Sequence, residues 1–256
     1  MLFRKAFRWY LKRAIVLASD WTVVPIRNQE VTPCFIAGCG HSGTTLVASK
    51  LGQHPAIFTI RRESQIFYPN KSLLHPKGIV KEWIYISKQD QKICFVEKTP
   101  KHIHCLNRIR RLLPESKLIL ITRNPMDTIA SLYLRFNDLS LSIERWNLDN
   151  EALLNWKEKP NTHLIYFEEL IAEPERVFRD ALTFLGLDWH SEVLEGGQSV
   201  YETHIAVENM KIRAQQVKKK IYKPESKWPE LFSKEQQNRM IQETAAISER
   251  LGYLVF

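Results

Sequence analysis

The sequence predicts an α/β fold in which a central parallel sheet is flanked by helices, making three layers. Short apolar segments of strand length alternate with helical patterns along the chain, the order expected of a parallel sheet covered on both faces. The first of these segments runs directly into a glycine-rich loop and then a helix start, an arrangement that turns a helix N-terminus toward an anion. With 256 residues, the chain is long enough to bury a substantial core in one domain.

Residues 1–30 read as a basic amphipathic helix and a lead-in. Phe3, Phe7, Tyr10, Ala14, Leu17 and Trp21 recur at helical spacing, with Arg4, Lys5, Arg8 and Lys12 on the other side. Such a helix suits peripheral contact with an anionic membrane surface, or it caps the domain with its aromatic face inward. No run of about 18 apolar residues is present, so no membrane-spanning helix is expected. The early run Ala14 to Ala18 is shorter than the ~7–15 residues of a secretory core, and the expected setting is cytoplasmic.

Residues 31–256 are expected to form a single domain. Strands are predicted at Pro33 to Ala37, Ala56 to Ile60, Ile93 to Val96, Leu118 to Thr122 and His163 to Phe167. Helices are predicted from about Leu46 to Leu51, Ile103 to Leu113, Met126 to Phe136, Pro174 to Leu185 and Ser233 to Leu251, with a basic loop from Lys218 to Trp228. The charge of +9, from 37 basic and 28 acidic residues, suits a polyanionic ligand. Cys34, Cys39, Cys94 and Cys105 are too few for a disulfide framework. No metal is expected, because His102, His104 and Cys105 lack a second ligand pair at zinc spacing.

The loop after the first strand is Gly38-Cys39-Gly40-His41-Ser42-Gly43-Thr44-Thr45. Its glycines permit a tight turn, and Ser42, Thr44 and Thr45 add hydroxyl donors to the backbone N–H groups. The segment is P-loop-like, with Gly38 and Gly43 at the separation of a triphosphate loop. Thr44, however, stands where the lysine that reaches the β and γ phosphates belongs. Arg123 follows the strand Leu118 to Thr122, where a magnesium-binding aspartate often stands. Both features weigh against a nucleotide kinase or GTPase. Arg123-Asn124-Pro125 opens a helix on which Ser131, just over two turns along, and Arg135, four residues further, return to one face. Two loops, each able to hold one phosphate, indicate two separate phosphates rather than a contiguous triphosphate.

These motifs resemble those of sulfotransferases that use 3′-phosphoadenosine 5′-phosphosulfate (PAPS). His41-Ser42-Gly43-Thr44-Thr45 is similar to the family's 5′-phosphosulfate loop, with Gly40 leading into it, and Arg123-Asn124-Pro125 with Ser131 to its 3′-phosphate segment. The resemblance runs from about Phe35 to Gly252. It implies that Tyr166, in Tyr166-Phe167-Glu168-Glu169-Leu170, lies against the adenine. Phe184-Leu185-Gly186-Leu187 is similar to the helix end that follows in the family. In the protein-tyrosine branch, Arg135 matches an arginine near the 3′-phosphate, and Lys227, in Ser226-Lys227-Trp228, a lysine that closes over the nucleotide. The family has lysine or arginine where this chain has His41.

The resemblance implies PAPS as co-substrate and a hydroxyl or amine acceptor. It gives Lys98, in Glu97-Lys98-Thr99-Pro100, to the leaving oxygen with His41 beside it, and makes Glu63 the base. His41 is the rival base, because the ordinary imidazole pKa suits proton transfer near neutrality. The expected acceptor is a carbohydrate, lipid or small metabolite. The protein-tyrosine likeness also admits a peptide. Trp83, Trp146 and Trp156 either stack on sugar rings or belong to the core. A non-catalytic polyanion-binding module remains a third reading, and no nucleic-acid motif supports it.

Overall fold

The computed structural model describes residues 22–27, 30–70, 72–195 and 225–253. The expected N-terminal amphipathic helix and the basic run Lys218 to Lys220 lie outside these residues. In chain order the elements are β1 Thr32–Gly38, α1 Thr44–Leu51, β2 Ile57–Thr59, α2 Leu74–Gln89 and β3 Cys94–Lys98. A 3₁₀ segment, Pro100–Cys105, leads into α3 Leu106–Leu112, followed by β4 Lys117–Thr122, α4 Pro125–Phe136, α5 Leu139–Leu154 and β5 Thr162–Tyr166. Then come α6 Phe167–Ala172, α7 Pro174–Leu185, α8 Glu192–Glu195, α9 Trp228–Leu231 and α10 Lys234–Leu251. No helix among the described residues is long and apolar enough to cross a membrane.

The five strands form one sheet in the order β2-β3-β1-β4-β5, and every pairing is parallel. Strand side chains alternate between two separate cores, as the two-residue period demands. Phe35, Ala37, Phe95, Leu118 and Leu120 enter one cluster. Cys34, Ile36, Val96, Ile119 and Ile121 enter the other. The first cluster is completed by α3, α4, α5 and α10 through Ile109, Ile129, Trp146 and Met240. The second is completed by α1 and α7 through Val47, Leu51, Phe178 and Leu182. Both sheet faces are thus covered, which is the expected three-layer arrangement. All four cysteines are buried.

Local chemistry sets the helix ends. The Asn124 side chain accepts from Asp127 N–H at 2.9 Å and Pro125 takes the first helical position, so α4 starts immediately after β4. Ser233 and Gln236 form a reciprocal capping box on α10. The predicted helix 103–113 begins instead as a 3₁₀ segment that opens on Pro100. Among the described residues, five helices absent from the sequence prediction are present, the short α6, α8 and α9 and the long α2 and α5. In α2, Pro76 and Gly78 interrupt the first turns. In α5 the buried face includes Ser142, Asp149 and Asn150 beside Ile143, Trp146 and Leu153, so the apolar period is concealed.

At the end of β1, Gly38 lies opposite Ile121 of β4 with φ at +148°, and a β-carbon there would collide with the Ile121 carbonyl oxygen. Gly38→Ala should therefore destabilise the fold by about 2 kcal/mol or more, from strain and overpacking together. Urea unfolding measures this, and a stability equal to wild type would show that β1 and β4 can separate freely.

Candidate functional site

The close approach of β1 to β4 sets the loops after both strands side by side. After β1 the chain turns through Cys39 to Gly43, with Ser42 N–H donating to Cys39 O at 3.3 Å, and enters α1. His41 has φ at +68° and Gly43 at +93°, the left-handed region that a β-branched residue avoids. A β-carbon on Gly43 would lie 2.5 Å from the Phe167 ring. That ring also carries Arg123, whose guanidinium carbon is 4.5 Å from its centroid. Phe167, which the sequence reading gave no role of its own, is therefore the shared support of both loops.

The loops also meet directly, because His41 Nδ1 and Ser131 Oγ are hydrogen-bonded at 2.8 Å. Ser42 and Thr44 are buried at the start of α1, while Gly40 and Thr45 are half-buried. Arg123 approaches Asp127 at 3.4 Å through Nη2, and its buried Nε has no hydrogen-bond partner among the described residues. Helix α5 fixes the loop from below. Trp146 Nε1 donates to Arg123 O at 3.2 Å and Thr122 Oγ1 donates to Asn150 Oδ1 at 2.8 Å. Trp146 is fully buried and Trp83 and Trp156 pack against the same core, so all three tryptophans hold the fold together. Arg135 is exposed, beside Phe136. Lys227 is exposed one residue before α9, which leads to Phe232 packed on Tyr133 of α4 at 5.1 Å between centroids.

Tyr166, at the end of β5, donates its hydroxyl to Leu251 O at 2.9 Å and meets Tyr253 edge to face at 5.9 Å. Tyr253 in turn donates to Glu168 Oε2 at 3.2 Å, and Glu168 Oε1 accepts from Asn124 N–H at 2.9 Å. Burial and the nearby Glu168 carboxylate push the Tyr253 hydroxyl well above the usual tyrosine range. The end of α10 is thus tied to the Arg123 loop.

On the other side of β1, Lys98 and Glu63 come together. Lys98 Nζ reaches Glu63 Oε1 at 2.6 Å, with the lysine 2% exposed and the glutamate 27%. A lysine held this deeply requires a countercharge, and the pairing joins two residues predicted separately. Tyr68 lies close by. Burial, and then the charge of Glu63, raise its hydroxyl to about 12.

Behind this pair, Glu97 is fully buried. Its Oε1 accepts from Ser64 N–H at 3.1 Å, Ser64 Oγ at 2.8 Å and Thr99 Oγ1 at 2.6 Å, and its Oε2 faces His102 Nδ1 at 3.0 Å. His104 and Arg145 both meet the buried Asp149, each at 2.6 Å. The two histidines therefore serve carboxylates. Sequence reasoning missed Glu97 and Asp149. For Glu97 the available signal was a carboxylate inside an otherwise apolar strand.

Burial would raise the pKa of Glu97. The His102 imidazole and the hydrogen bonds from His102, Thr99 and Ser64 outweigh it and hold the carboxyl below the usual range. The native state therefore favours the ionised form. That stabilisation is complete above the unfolded pKa of about 4.3 and is lost as the pH falls through the lower folded value. Glu97→Gln should flatten the loss of stability below a pH of about 4, measured by urea unfolding across the acid range. An unchanged acid limb would mean that this ionisation contributes nothing to it.

A sulfotransferase family model matches residues 77–191. An uncharacterised protein of Aquifex aeolicus is 27% identical over 86% of this chain and 34% of its own length. Protein-tyrosine sulfotransferase A of Caenorhabditis elegans is 23% identical over 76% of this chain and 60% of its own. The chain thus spans less than two thirds of either relative. Among solved structures, the sulfotransferase domain of the Synechococcus PCC 7002 olefin synthase superposes with a TM-score of 0.63 at 18% identity, covering 91% of this chain and 99% of that one. A mouse sulfotransferase, SULT7A1, solved with 3′-phosphoadenosine 5′-phosphate (PAP), superposes with a TM-score of 0.56 at 14% identity, covering 91% and 87%. Residues 77–191 match the sulfotransferase family, the described chain carries the sulfotransferase fold, and the likeness to that family read from the two loops is borne out.

Proposed function

We propose that this protein transfers the sulfuryl group of PAPS to a hydroxyl or amine acceptor, with residues 31–256 acting as one catalytic domain. The observation that carries the proposal is the contact of two anion loops through His41 and Ser131, which offers adjacent places for two separate phosphates. The buried Arg123 Nε, without a hydrogen-bond partner among the described residues, is a donor that a phosphate held by this loop would engage. The PAP in the mouse neighbour has the two phosphates that such a pair of loops would hold.

On this reading, the N–H groups and hydroxyls from Gly40 to Thr45 hold the 5′-phosphosulfate at the start of α1. Arg123, Ser131 and Arg135 hold the 3′-phosphate, Tyr166 lines the adenine side and Lys227 covers the nucleotide. Glu63 takes the proton of the acceptor as its oxygen or nitrogen attacks sulfur in line. The bond from sulfur to the 5′-phosphate oxygen breaks as the new bond forms. Lys98 neutralises the released oxygen, with His41 at its side. The bond from His41 to Ser131 engages one imidazole nitrogen in joining the loops, which favours Glu63 as the base.

The proposed acceptor is a carbohydrate, lipid or small metabolite. A tyrosyl peptide belongs in the same screen because of the likeness to the worm enzyme.

Calorimetric titration with PAP, 5′-AMP and magnesium ATP tests the two-loop reading. PAP should bind selectively, and preference for ATP would overturn it. Arg123→Ala should weaken PAP binding by about 1.5–3 kcal/mol, the worth of a charge-assisted contact, and an unchanged affinity would remove the 3′-phosphate assignment. Glu63→Gln should abolish turnover while PAP affinity stays near wild type. Retained turnover would exclude Glu63 as base.

A further inference from the structure

The segment that carries Glu63 lacks a backbone ladder to hold it. Ile60 N–H still donates to Val96 O at 2.9 Å, but residues 61–65 belong to neither helix nor strand. Glu63 nevertheless stands 2.6 Å from Lys98. The anchors are side chains at the end of the neighbouring strand. Glu97 Oε1 takes both Ser64 donors, and Thr99 Oγ1 accepts from Gln65 N–H at 3.4 Å while donating to Glu97.

We infer that Glu97 is a positioning residue for sulfuryl transfer, whose carboxylate fixes Ser64 so that its neighbour Glu63 is presented beside Lys98. The inference rests on the proposed reading in which Glu63 accepts the acceptor's proton. Glu97 and Lys98 are consecutive, so one strand end supplies both the anchor of the base segment and the cation that the base faces.

An ionised carboxylate suits this place because it only accepts hydrogen bonds. Three donors converge on one oxygen and His102 Nδ1 meets the other. A glutamine there loses the charge that strengthens these hydrogen bonds, keeps one acceptor oxygen for the Ser64 and Thr99 donors, and replaces the acceptor facing His102 with N–H₂. His102 is itself fully buried, edge to face with Phe67 at 5.5 Å and Tyr68 at 5.9 Å, so the carboxylate is backed by a packed wall. A misplacement of about 1 Å at a reacting group can cost roughly 100-fold in rate. Loss of the anchor should therefore appear in turnover before it appears in nucleotide affinity.

The test compares the full-length chain with Glu97→Gln by hydrogen exchange, by PAP calorimetry, and by turnover of PAPS with 4-nitrophenol and a tyrosyl peptide. The Ser64 amide should exchange at least tenfold faster in the variant, and kcat should fall by roughly 10- to 100-fold. PAP affinity and acceptor KM should remain within about threefold of wild type, a split that general unfolding would not give. Unchanged protection of Ser64 overturns the inference, and that measurement requires no acceptor.

If Glu97→Gln does not fold, the double variant Ser64→Ala/Thr99→Val removes two donors and keeps the carboxylate. It should show the same split at a several-fold level, and wild-type turnover would overturn the inference. Glu63→Gln, measured in parallel, separates the two ideas. Turnover retained there defeats the base assignment, whereas turnover lost there but normal in Glu97→Gln defeats only the positioning role.

Discussion

The parallel pairing of β1 with β4, with Gly38 opposite Ile121, is the constraint from which the site follows. Parallel strands release their loops at the same end of a sheet, so adjacent strands deliver adjacent loops. The glycine allows the two backbones to remain close to the very end of the pairing. His41 and Ser131 lie 90 residues apart in sequence and still share a hydrogen bond. Phe167, the first residue of α6 directly after β5, closes the arrangement by supporting Gly43 and Arg123 on one ring.

Buried charge is the second organising feature. Glu97, Lys98 and Asp149 are each at most 2% exposed, where an ion without partners would cost several kcal/mol. Each has an assigned compensation, from Ser64, Thr99 and His102 for Glu97, from Glu63 for Lys98, and from Arg145 and His104 for Asp149. Removing one member leaves the other uncompensated, so these networks resist small displacements. On the proposed reading, that resistance suits in-line transfer, which tolerates little error in the placement of its groups.

The sheet was legible in the sequence because strands buried on both faces must be apolar throughout, and all five were located within a few residues of their observed positions. The two loops were legible because glycine, hydroxyl and arginine requirements are local. Helix α5 was not, because Asp149 and Asn150 occupy its buried face for reasons that exist only when β4 and the 3₁₀ segment lie beneath them. The pairing of Glu63 with Lys98 was also hidden. Both residues were picked out individually, but their 35-residue separation carries no periodic signal, and the contact depends on how the irregular segment after β2 folds back over β3. At the site, what remained unread was long-range and polar, where sequence pattern is weakest.

The connection from Tyr166 to Leu251, and from Tyr253 through Glu168 to Asn124, also bears on how the protein is made. Strands β1 to β5 leave the ribosome before residues 251–253 do, and folding can proceed on them while synthesis continues. The Tyr166 end of β5 and the Arg123 loop, however, acquire these supports only when those three residues have emerged. A nascent chain can therefore build its sheet early but must wait for nearly the whole of this sequence before the site is complete.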